Sequence, residues 1–301
     1  MTALGSKLVS ASIPTLNSSR TLARCLAAIR NQTYAPIEII VVDAYSSDDT
    51  ARIARSFGAK VMFEFGLTKQ RLRCIHESKG DFALLLDSDQ VIDVNLVEKC
   101  VSKLEGESGI DALVVKDISL PSIDGFLGRA QSRYVELTQS DPDLIYGTAL
   151  PRFFRSRVLR SLEAPRRELG YFDHAWIYNR VLQKGAKVGY VDAVDYHLEY
   201  NSTLRVVRKF FKYYGHYLVP ALVEDWKLVL GKSIPKRAVL APVSNIGIGE
   251  RIGQLLLFEV KALSTLLGIM HSIFSAPFRR RPLANHRMVS DSSALPVDAC
   301  P

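Results

Sequence analysis

The stretch 81–89 places two carboxylates directly after an uninterrupted apolar run. Phe82 to Leu86 is apolar throughout, and Asp87 and Asp89 follow it with one residue between them. Such a run is typical of a buried parallel strand, and open α/β sheets bind their ligands at the carboxyl ends of their strands. On an extended chain, side chains two residues apart point to the same side of the sheet.

Two crowded carboxylates repel each other unless a cation or a hydrogen-bond donor lies between them. A hard divalent ion such as Mg²⁺ or Mn²⁺ prefers oxygen ligands and also binds diphosphates. We therefore expect Asp87 and Asp89 to hold such an ion. The alternative is that both acids cap the helix or turn that follows.

Apolar strand-like segments alternate with amphipathic helix-like segments over most of the chain. The predicted strands lie at 8–13, 37–42, 60–65, 82–87, 112–115 and 187–191, and the predicted helices at 21–30, 50–57, 69–78, 94–104, 126–138, 158–162 and 176–184. This alternation predicts an α/β fold with a mostly parallel, doubly wound sheet flanked by helices.

Composition limits the classes of partner and compartment. The net charge of +8 favours an anionic partner, but no nucleic-acid-binding motif accompanies it, so we expect no nucleic acid. The four cysteines are scattered without a Cys-x-x-Cys pair, which argues against a zinc site and fits a reducing compartment. No long apolar stretch precedes the first predicted strand, so we expect no signal peptide.

The character of the chain changes after about residue 200. Residues 201–240 carry eight basic and two acidic side chains, which accounts for most of the net charge. Apolar residues recur at steps of three and four and predict one face of a helix. That face comprises Leu204, Val207, Phe211, Tyr214 and Leu218, and a basic stripe of Arg205, Arg208 and Lys212 lies beside it.

A second apolar segment, 252–274, is long enough to span a bilayer, which takes about 20 residues. Glu259 and Lys261 near its middle would each cost about 2.5–3.5 kcal/mol on insertion. We therefore expect an amphipathic helix that lies on an anionic membrane surface or against the domain, with a solvated helical face as the alternative. The predicted regions are a domain at 1–200, a basic helical region at 201–276 and a disordered tail at 277–301.

Four short motifs carry a resemblance to a known family. They are Ile13-Pro14-Thr15-Leu16-Asn17, the segment from Ile39 to Asp43 with Ser46 to Thr50, Gly80-Asp81-Phe82, and Asp87-Ser88-Asp89. In order and spacing they resemble family 2 glycosyltransferases over roughly residues 7–200. The resemblance implies a GT-A fold with a Rossmann-like sheet, a nucleotide-sugar donor, Mn²⁺ or Mg²⁺ as cofactor, and inverting displacement at the anomeric carbon.

The resemblance also implies roles for particular residues. Asp87 and Asp89 match the pair that holds the metal and the donor diphosphate. Pro14, Thr15 and Asn17 match the loop beside the base and ribose, although Asn17 also suits a plain helix cap.

Three further positions match family features less completely. Asp43 matches the first acid of a pair that contacts the nucleoside, but the second position is Ala44, so the bound base stays open. Arg71 matches an arginine directed to the diphosphate, with an ordinary surface contact as the alternative. His197 matches a residue near the metal or diphosphate, with a structural hydrogen bond as the alternative.

Inverting transfer to a hydroxyl requires a general base opposite the leaving group. The family pattern is a Glu-Asp pair before a helix with a closing arginine. With Arg180 as that arginine, the matching pair is Asp173-His174, which departs from the pattern. We expect Asp173 to be catalytic with His174 as its partner; the alternatives are His174 acting directly, Glu168, or a helix cap at Asp173. A phosphate acceptor would need no strong base.

These inferences predict a metal-dependent inverting glycosyltransferase with a lipid-linked or glycan acceptor. We expect it in the cytoplasm, peripheral on the cytoplasmic membrane face, with Arg152 and Arg155 near an anionic acceptor. Because Ala44 and His174 depart from the pattern, the alternative is a catalytically inactive nucleotide-binding scaffold of the same fold. A nucleotidyltransferase would need a glycine-rich basic loop after the first strand, which 14–17 is not.

Overall fold

The computed structural model describes residues 6–120, 126–139, 150–198, 203–233 and 247–275. Their strands form one eight-stranded sheet in the order β3-β2-β1-β4-β7-β6-β8-β5. The strands are β1 Val9–Thr15, β2 Ile37–Asp43, β3 Lys60–Phe63, β4 Phe82–Leu85, β5 Gln90–Ile92, β6 Ala112–Ser119, β7 Pro151–Arg155 and β8 Val188–His197.

The sheet is mixed but mostly parallel, which confirms the predicted class. Strands β3, β2, β1 and β4 run parallel, as do β6 and β8. Strand β7 pairs antiparallel with β4 and β6, and β5 pairs antiparallel with β8. The carboxyl ends of β1, β2, β4, β6 and β8 therefore meet at one edge of the sheet.

Helices cover both faces of the sheet. They are α1 Leu22–Arg30, α2 Thr50–Ser56, α3 Leu67–Glu77, α4 Leu96–Gly106, α5 Phe126–Gln139, α6 Ser156–Arg160, α7 Asp173–Gln183, α8 Thr203–Lys209, α9 Tyr217–Ser233 and α10 Ile248–Ser275. A 3₁₀ turn, Gly170–Phe172, precedes α7, and a π-helix, Phe210–His216, joins α8 to α9.

Strand β4 shows why the two helical layers form. Phe82, Leu84 and Leu86 pack with α1 and α4 in one core, whereas Ala83 and Leu85 pack with α3 and α7 in the other. A strand buried on both faces presents apolar side chains to each layer in turn, which explains its continuous apolar sequence.

The prediction of one apolar helix face in the C-terminal region is wrong in part. Leu204 is 57% exposed, whereas Val206 and Phe210 are buried against α5 and α10. Leu204 lies in the first turn of α8, where Val206 faces the core instead. From Phe210 onward the chain forms a π-helix, whose wider turns break the period of 3.6 residues that the prediction assumed. Arg208 and Lys212 are exposed, as expected for the basic stripe.

The apolar segment 252–274 forms most of α10. By length and composition, Ile248–His271 qualifies as a membrane span, and four of its 24 residues are buried, namely Gly253, Leu257, Ser264 and Gly268. Gly268 meets Gly215 and the backbone of Phe211 so closely that neither glycine leaves space for a Cβ. The tail predicted at 277–301 lies outside the described residues.

Candidate active site

Charged side chains from five elements and the turn after β4 converge at the carboxyl edge of the sheet. The turn after β4 supplies Asp87 and Asp89, and the other contributors are Arg71 of α3, Asp117 of β6, Arg152 of β7, Asp173 and His174 of α7, and Asp195 and His197 of β8. They form two adjacent groups, one around Asp87 and one around His197.

Asp87 is the centre of the first group. Its Oδ1 lies 2.8 Å from Arg71 Nη2 and 3.8 Å from His174 Nε2, and its Oδ2 lies 3.3 Å from Arg152 Nη1. Burial alone would raise the pKa of Asp87, but the two guanidiniums outweigh it and hold that pKa well below its usual range. Asp87 is therefore a carboxylate already paired with two cations.

Arg71 bridges two carboxylates. Its Nη2 binds Asp87, and its Nε binds Asp173 Oδ2 at 2.8 Å. The side chain is only 2% exposed, so the ordinary surface contact considered from the sequence does not apply. Its third nitrogen, Nη1, is buried and has no hydrogen-bond partner among the described residues.

Asp173 begins α7 and is almost fully buried. Its Oδ1 accepts a hydrogen bond from the backbone N–H of His174 at 2.6 Å, and its Oδ2 is bound to Arg71. It is therefore the first residue of α7 and not its N-cap, which is Phe172, and its carboxylate forms an ion pair at the centre of the site.

His174 lies against Arg152, whose Nη1 is 3.0 Å from Nε2 of the imidazole. Burial, with Arg71 and Arg152 adding to its effect, lowers the pKa of His174 to about 4. The imidazole is therefore neutral at neutral pH. Glu168, the third candidate base, accepts hydrogen bonds from the N–H groups of Thr68 and Gly170 and so caps the start of α3.

His197 is the centre of the second group. Its Nε2 lies 3.2 Å from Asp89 Oδ1, and its Nδ1 lies 3.5 Å from Asp117 Oδ2. Burial would lower the pKa of His197, but the carboxylates of Asp89 and Asp117 outweigh it and raise that pKa well above its usual range. Asp87 and Asp89 therefore have different partners, because the chain turns directly after β4.

Asp89 and His197 offer two metal ligands. No set of three or more His, Cys, Asp or Glu side chains within the described residues is arranged around a common ion. Two neighbouring ligands of an octahedral ion lie roughly 3 Å apart when each is about 2.1 Å from the ion. The 3.2 Å separation of Asp89 and His197 fits such a pair, with the other positions left for substrate oxygens and water.

The residues predicted for nucleoside binding lie in two interlocked loops. Asp43 is fully buried, and its carboxylate accepts hydrogen bonds from Thr15 Oγ1, Ser46 Oγ and Ser46 N–H. Asn17, at a φ of 49°, accepts a hydrogen bond from the Ser47 N–H, and it does not cap α1. Pro14 is part of β1. These contacts fix the loop shape, and nucleoside contact stays a prediction.

The two arginines predicted near the acceptor diverge. Arg152 lies inside the site, between Asp87 and Asp117. Arg155 instead donates to the backbone carbonyls of Ile110 and Leu104, so its guanidinium stabilises the end of α4 rather than holding an anion.

Sequence reasoning missed Asp117 and Asp195. Burial and the nearby Asp117 raise the pKa of Asp195 to about 8, and the amide of Gln90 binds Asp195 Oδ2. One signal was available for Asp195, since it lies two residues before His197 and strand alternation places both on one face. Asp117 gave no comparable signal, because nothing in the sequence pairs β6 with β8.

The chain is similar to known proteins in sequence and in fold. Residues 10–162 match the profile described as glycosyl transferase family 2. The glycosyltransferase GlyG of Streptococcus pneumoniae is 27% identical over 128 residues, which are 40% of this chain and 42% of GlyG. The glycosyltransferase AglE of Haloferax volcanii is 32% identical over 140 residues, 43% of this chain and 45% of AglE. The matches thus span less than half of these relatives.

Two solved structures share the fold. TarS 1–349 of S. aureus superimposes with a TM-score of 0.53 at 16% identity, covering 90% of this chain and 92% of TarS. The mannosyltransferase PcManGT of Pyrobaculum calidifontis, solved with GDP-Man and Mn²⁺, gives 0.52 at 13% identity, covering 90% and 87%. Their likeness confirms the predicted GT-A architecture.

Proposed function

The chain belongs to glycosyl transferase family 2, and on that premise we propose that it is a metal-dependent inverting glycosyltransferase with a nucleotide-sugar donor. The observation that carries the proposal is the Asp89–His197 pair, which lies beside the Asp87–Arg71–Arg152 group at the ligand-binding edge of the sheet. Structures that share the fold contain UDP, UDP-GlcNAc or GDP-Man.

The charges of the site support a divalent cofactor. Four carboxylates, of Asp87, Asp89, Asp117 and Asp173, face the guanidiniums of Arg71 and Arg152, which leaves an excess of negative charge. A proton on His197 would offset only part of that excess, and the imidazole releases it when it binds a metal. A donor diphosphate would be repelled there without an added cation. Asp89 and His197 would hold Mn²⁺ or Mg²⁺. When bound, the ion would supply Lewis-acid stabilisation of the charge on the leaving diphosphate.

The remaining residues have proposed roles in displacement. The acceptor oxygen attacks the anomeric carbon as the bond to the diphosphate oxygen breaks, and its proton passes to Asp173 as general base. Arg71, with one nitrogen unpartnered, and Arg152 offset negative charge on the donor side. Asp87 stays a predicted donor and metal ligand, and its present partners show that it also aligns both arginines.

Calorimetric titration of UDP and GDP into the folded chain tests the proposal. With Mn²⁺ present, one of the two nucleotides is expected to bind, and EDTA is expected to reduce its affinity at least tenfold, because the ion offsets diphosphate repulsion. Binding unchanged by EDTA would contradict the metal requirement. Failure of both nucleotides to bind, in a sample folded by circular dichroism, would contradict the donor class.

We further propose that α10 lies on a lipid surface, where the acceptor is lipid-linked or close to the membrane. Its inner face packs on α5 and the π-helix through Gly253, Leu257 and Gly268. Its outer face leaves large apolar side chains exposed, namely Ile248, Ile252, Leu255, Leu256, Phe258, Leu263, Leu266, Leu267, Met270, Ile273 and Phe274. An exposed apolar surface of this kind marks an interaction site, and Glu259 is an exposed charge on the same helix.

Vesicle cosedimentation tests this surface. The chain is expected to bind vesicles of phosphatidylglycerol and phosphatidylcholine, and Leu255→Asp with Leu266→Asp is expected to reduce binding at least tenfold. The reason is that these side chains are 66% and 55% exposed and each would bury apolar area in the lipid. The charge-matched control is Ser102→Asp with Ser108→Asp. Equal binding by both double variants would contradict the proposal.

A further inference from the structure

Asp117 has a position that no family motif explains. It lies on β6 directly beside Asp195 of β8, two residues before Ser119, which is the register partner of His197. Its Oδ2 lies 3.5 Å from His197 Nδ1 and 3.8 Å from Arg152 Nη2. Its Oδ1 is buried and has no hydrogen-bond partner among the described residues.

The two nitrogens of His197 face different carboxylates. Nε2 points to Asp89, the more exposed of the two acids, and Nδ1 points inward to Asp117. A neutral imidazole has one N–H and one lone pair, and the partner of one nitrogen decides which of them the other presents. A carboxylate that accepts from Nδ1–H therefore leaves the lone pair on Nε2, which is the form that binds a metal.

We propose that Asp117 is a positioning residue for the metal: it fixes the ring orientation and tautomer of His197 so that Nε2 is directed, with Asp89, at the ion. Histidines that bind metals commonly donate their second N–H to a carboxylate in this way, and loss of such a partner typically weakens metal binding by about 10–100-fold. The inference rests on the proposed function, since it assumes the metal pair of Asp89 and His197.

The same carboxylate also faces the first group. Arg152 Nη2 approaches Asp117 while Arg152 Nη1 binds Asp87. If Asp117 served only as an ion-pair partner of Arg152, its removal would not change metal binding. The two roles differ in one measurable quantity, the affinity for Mn²⁺ in the absence of any nucleotide.

Titration with Mn²⁺ distinguishes the two roles of Asp117. The electron paramagnetic resonance signal of the free ion measures how much Mn²⁺ the chain binds. Asp117→Ala is expected to weaken Mn²⁺ binding by about 10–100-fold. Asp117→Asn is expected to weaken it less, since the amide oxygen still accepts from Nδ1–H. Asp192→Ala, an exposed position on β8, is the control and is expected to bind as the unaltered chain does.

The outcomes distinguish this inference from the proposed function. Equal Mn²⁺ affinity in the unaltered chain and both Asp117 variants, with affinity lost in His197→Ala, would overturn the role of Asp117 alone. No Mn²⁺ binding by the unaltered chain, or binding that His197→Ala leaves unchanged, would overturn the metal pair and the inference together. Asp117→Asn retains the side-chain shape, so its result stands even if Asp117→Ala proves unfolded.

Discussion

Replacement of Asp89 by alanine is expected to abolish Mn²⁺-dependent binding of UDP or GDP while the fold is retained. Asp89 supplies one half of the Asp89–His197 pair proposed to hold the ion. Its loss leaves the ion with His197 and with Asp87, whose carboxylate is already paired with Arg71 and Arg152. We expect the affinity for nucleotide in the presence of Mn²⁺ to fall to the value seen with EDTA, and sugar transfer to fall by about 10²-fold or more, because several kcal/mol of charge stabilisation in the transition state depend on the ion.

The fold should survive because the Asp89 side chain is 39% exposed and, among the described residues, its ion-pair partner is His197 alone. Calorimetry measures the nucleotide affinity, and thermal melting measures the stability of the same samples. Asp192→Ala is the matched control, since it removes an exposed carboxylate from β8 outside the site. Full Mn²⁺-dependent binding by Asp89→Ala would exclude Asp89 as a ligand.

The periodicity of the sequence predicts the first half of the fold well. Strands β1 to β4 and helices α1 to α4 appear where apolar runs and amphipathic segments alternate, because burial between two helical layers imposes that pattern. Strands β5 and β7 were missed for opposite reasons. Gln90–Ile92 is too short to show a period, and Pro151–Arg155 contains two arginines that find partners in the site and at α4.

Strands β6 and β8 extend four and six residues beyond their predicted ends, at Val115 and Val191. The additional residues include Asp117, Asp195 and His197, which interrupt the apolar pattern because they face the site rather than a core. The polar residues that made the predicted strands too short are thus the ones that form the group around His197.

The sequence likewise predicts some residues of the site and not others. Motif matching identified Asp87, Asp89, Arg71 and His197, and the structure brings all four to one edge. Their partners depend on pairings between distant strands that a sequence does not display. Asp43 differs from these four, because its carboxylate is buried and accepts hydrogen bonds from Thr15 and Ser46, and its contact with the nucleoside stays a prediction.

One guanidinium links the donor and acceptor sides of the proposed reaction. Arg71 holds Asp87 through Nη2 and Asp173 through Nε, so the two carboxylates share a rigid planar partner. A buried pair stabilises little by itself, but removal of one member leaves an uncompensated charge. The distance between the donor-side and acceptor-side carboxylates is therefore set by a single buried side chain.

Asp173→Asn is expected to lower the release of nucleoside diphosphate from the nucleotide-sugar donor by about 10²–10⁴-fold, the range for loss of a general base. The dissociation constant of the nucleotide should change less than threefold, because Arg71 keeps its bond to Asp87. Assays quenched at timed intervals measure the rate of nucleotide release, and calorimetry measures the dissociation constant of the nucleotide. His174→Gln is the matched control, since Arg152 donates to Nε2 of the imidazole and so occupies the lone pair that would take the proton, and we expect a loss below tenfold. A larger loss of rate in His174→Gln than in Asp173→Asn would indicate that His174 is the base. Full activity in both variants would favour an acceptor, such as a phosphate, that carries no proton to remove.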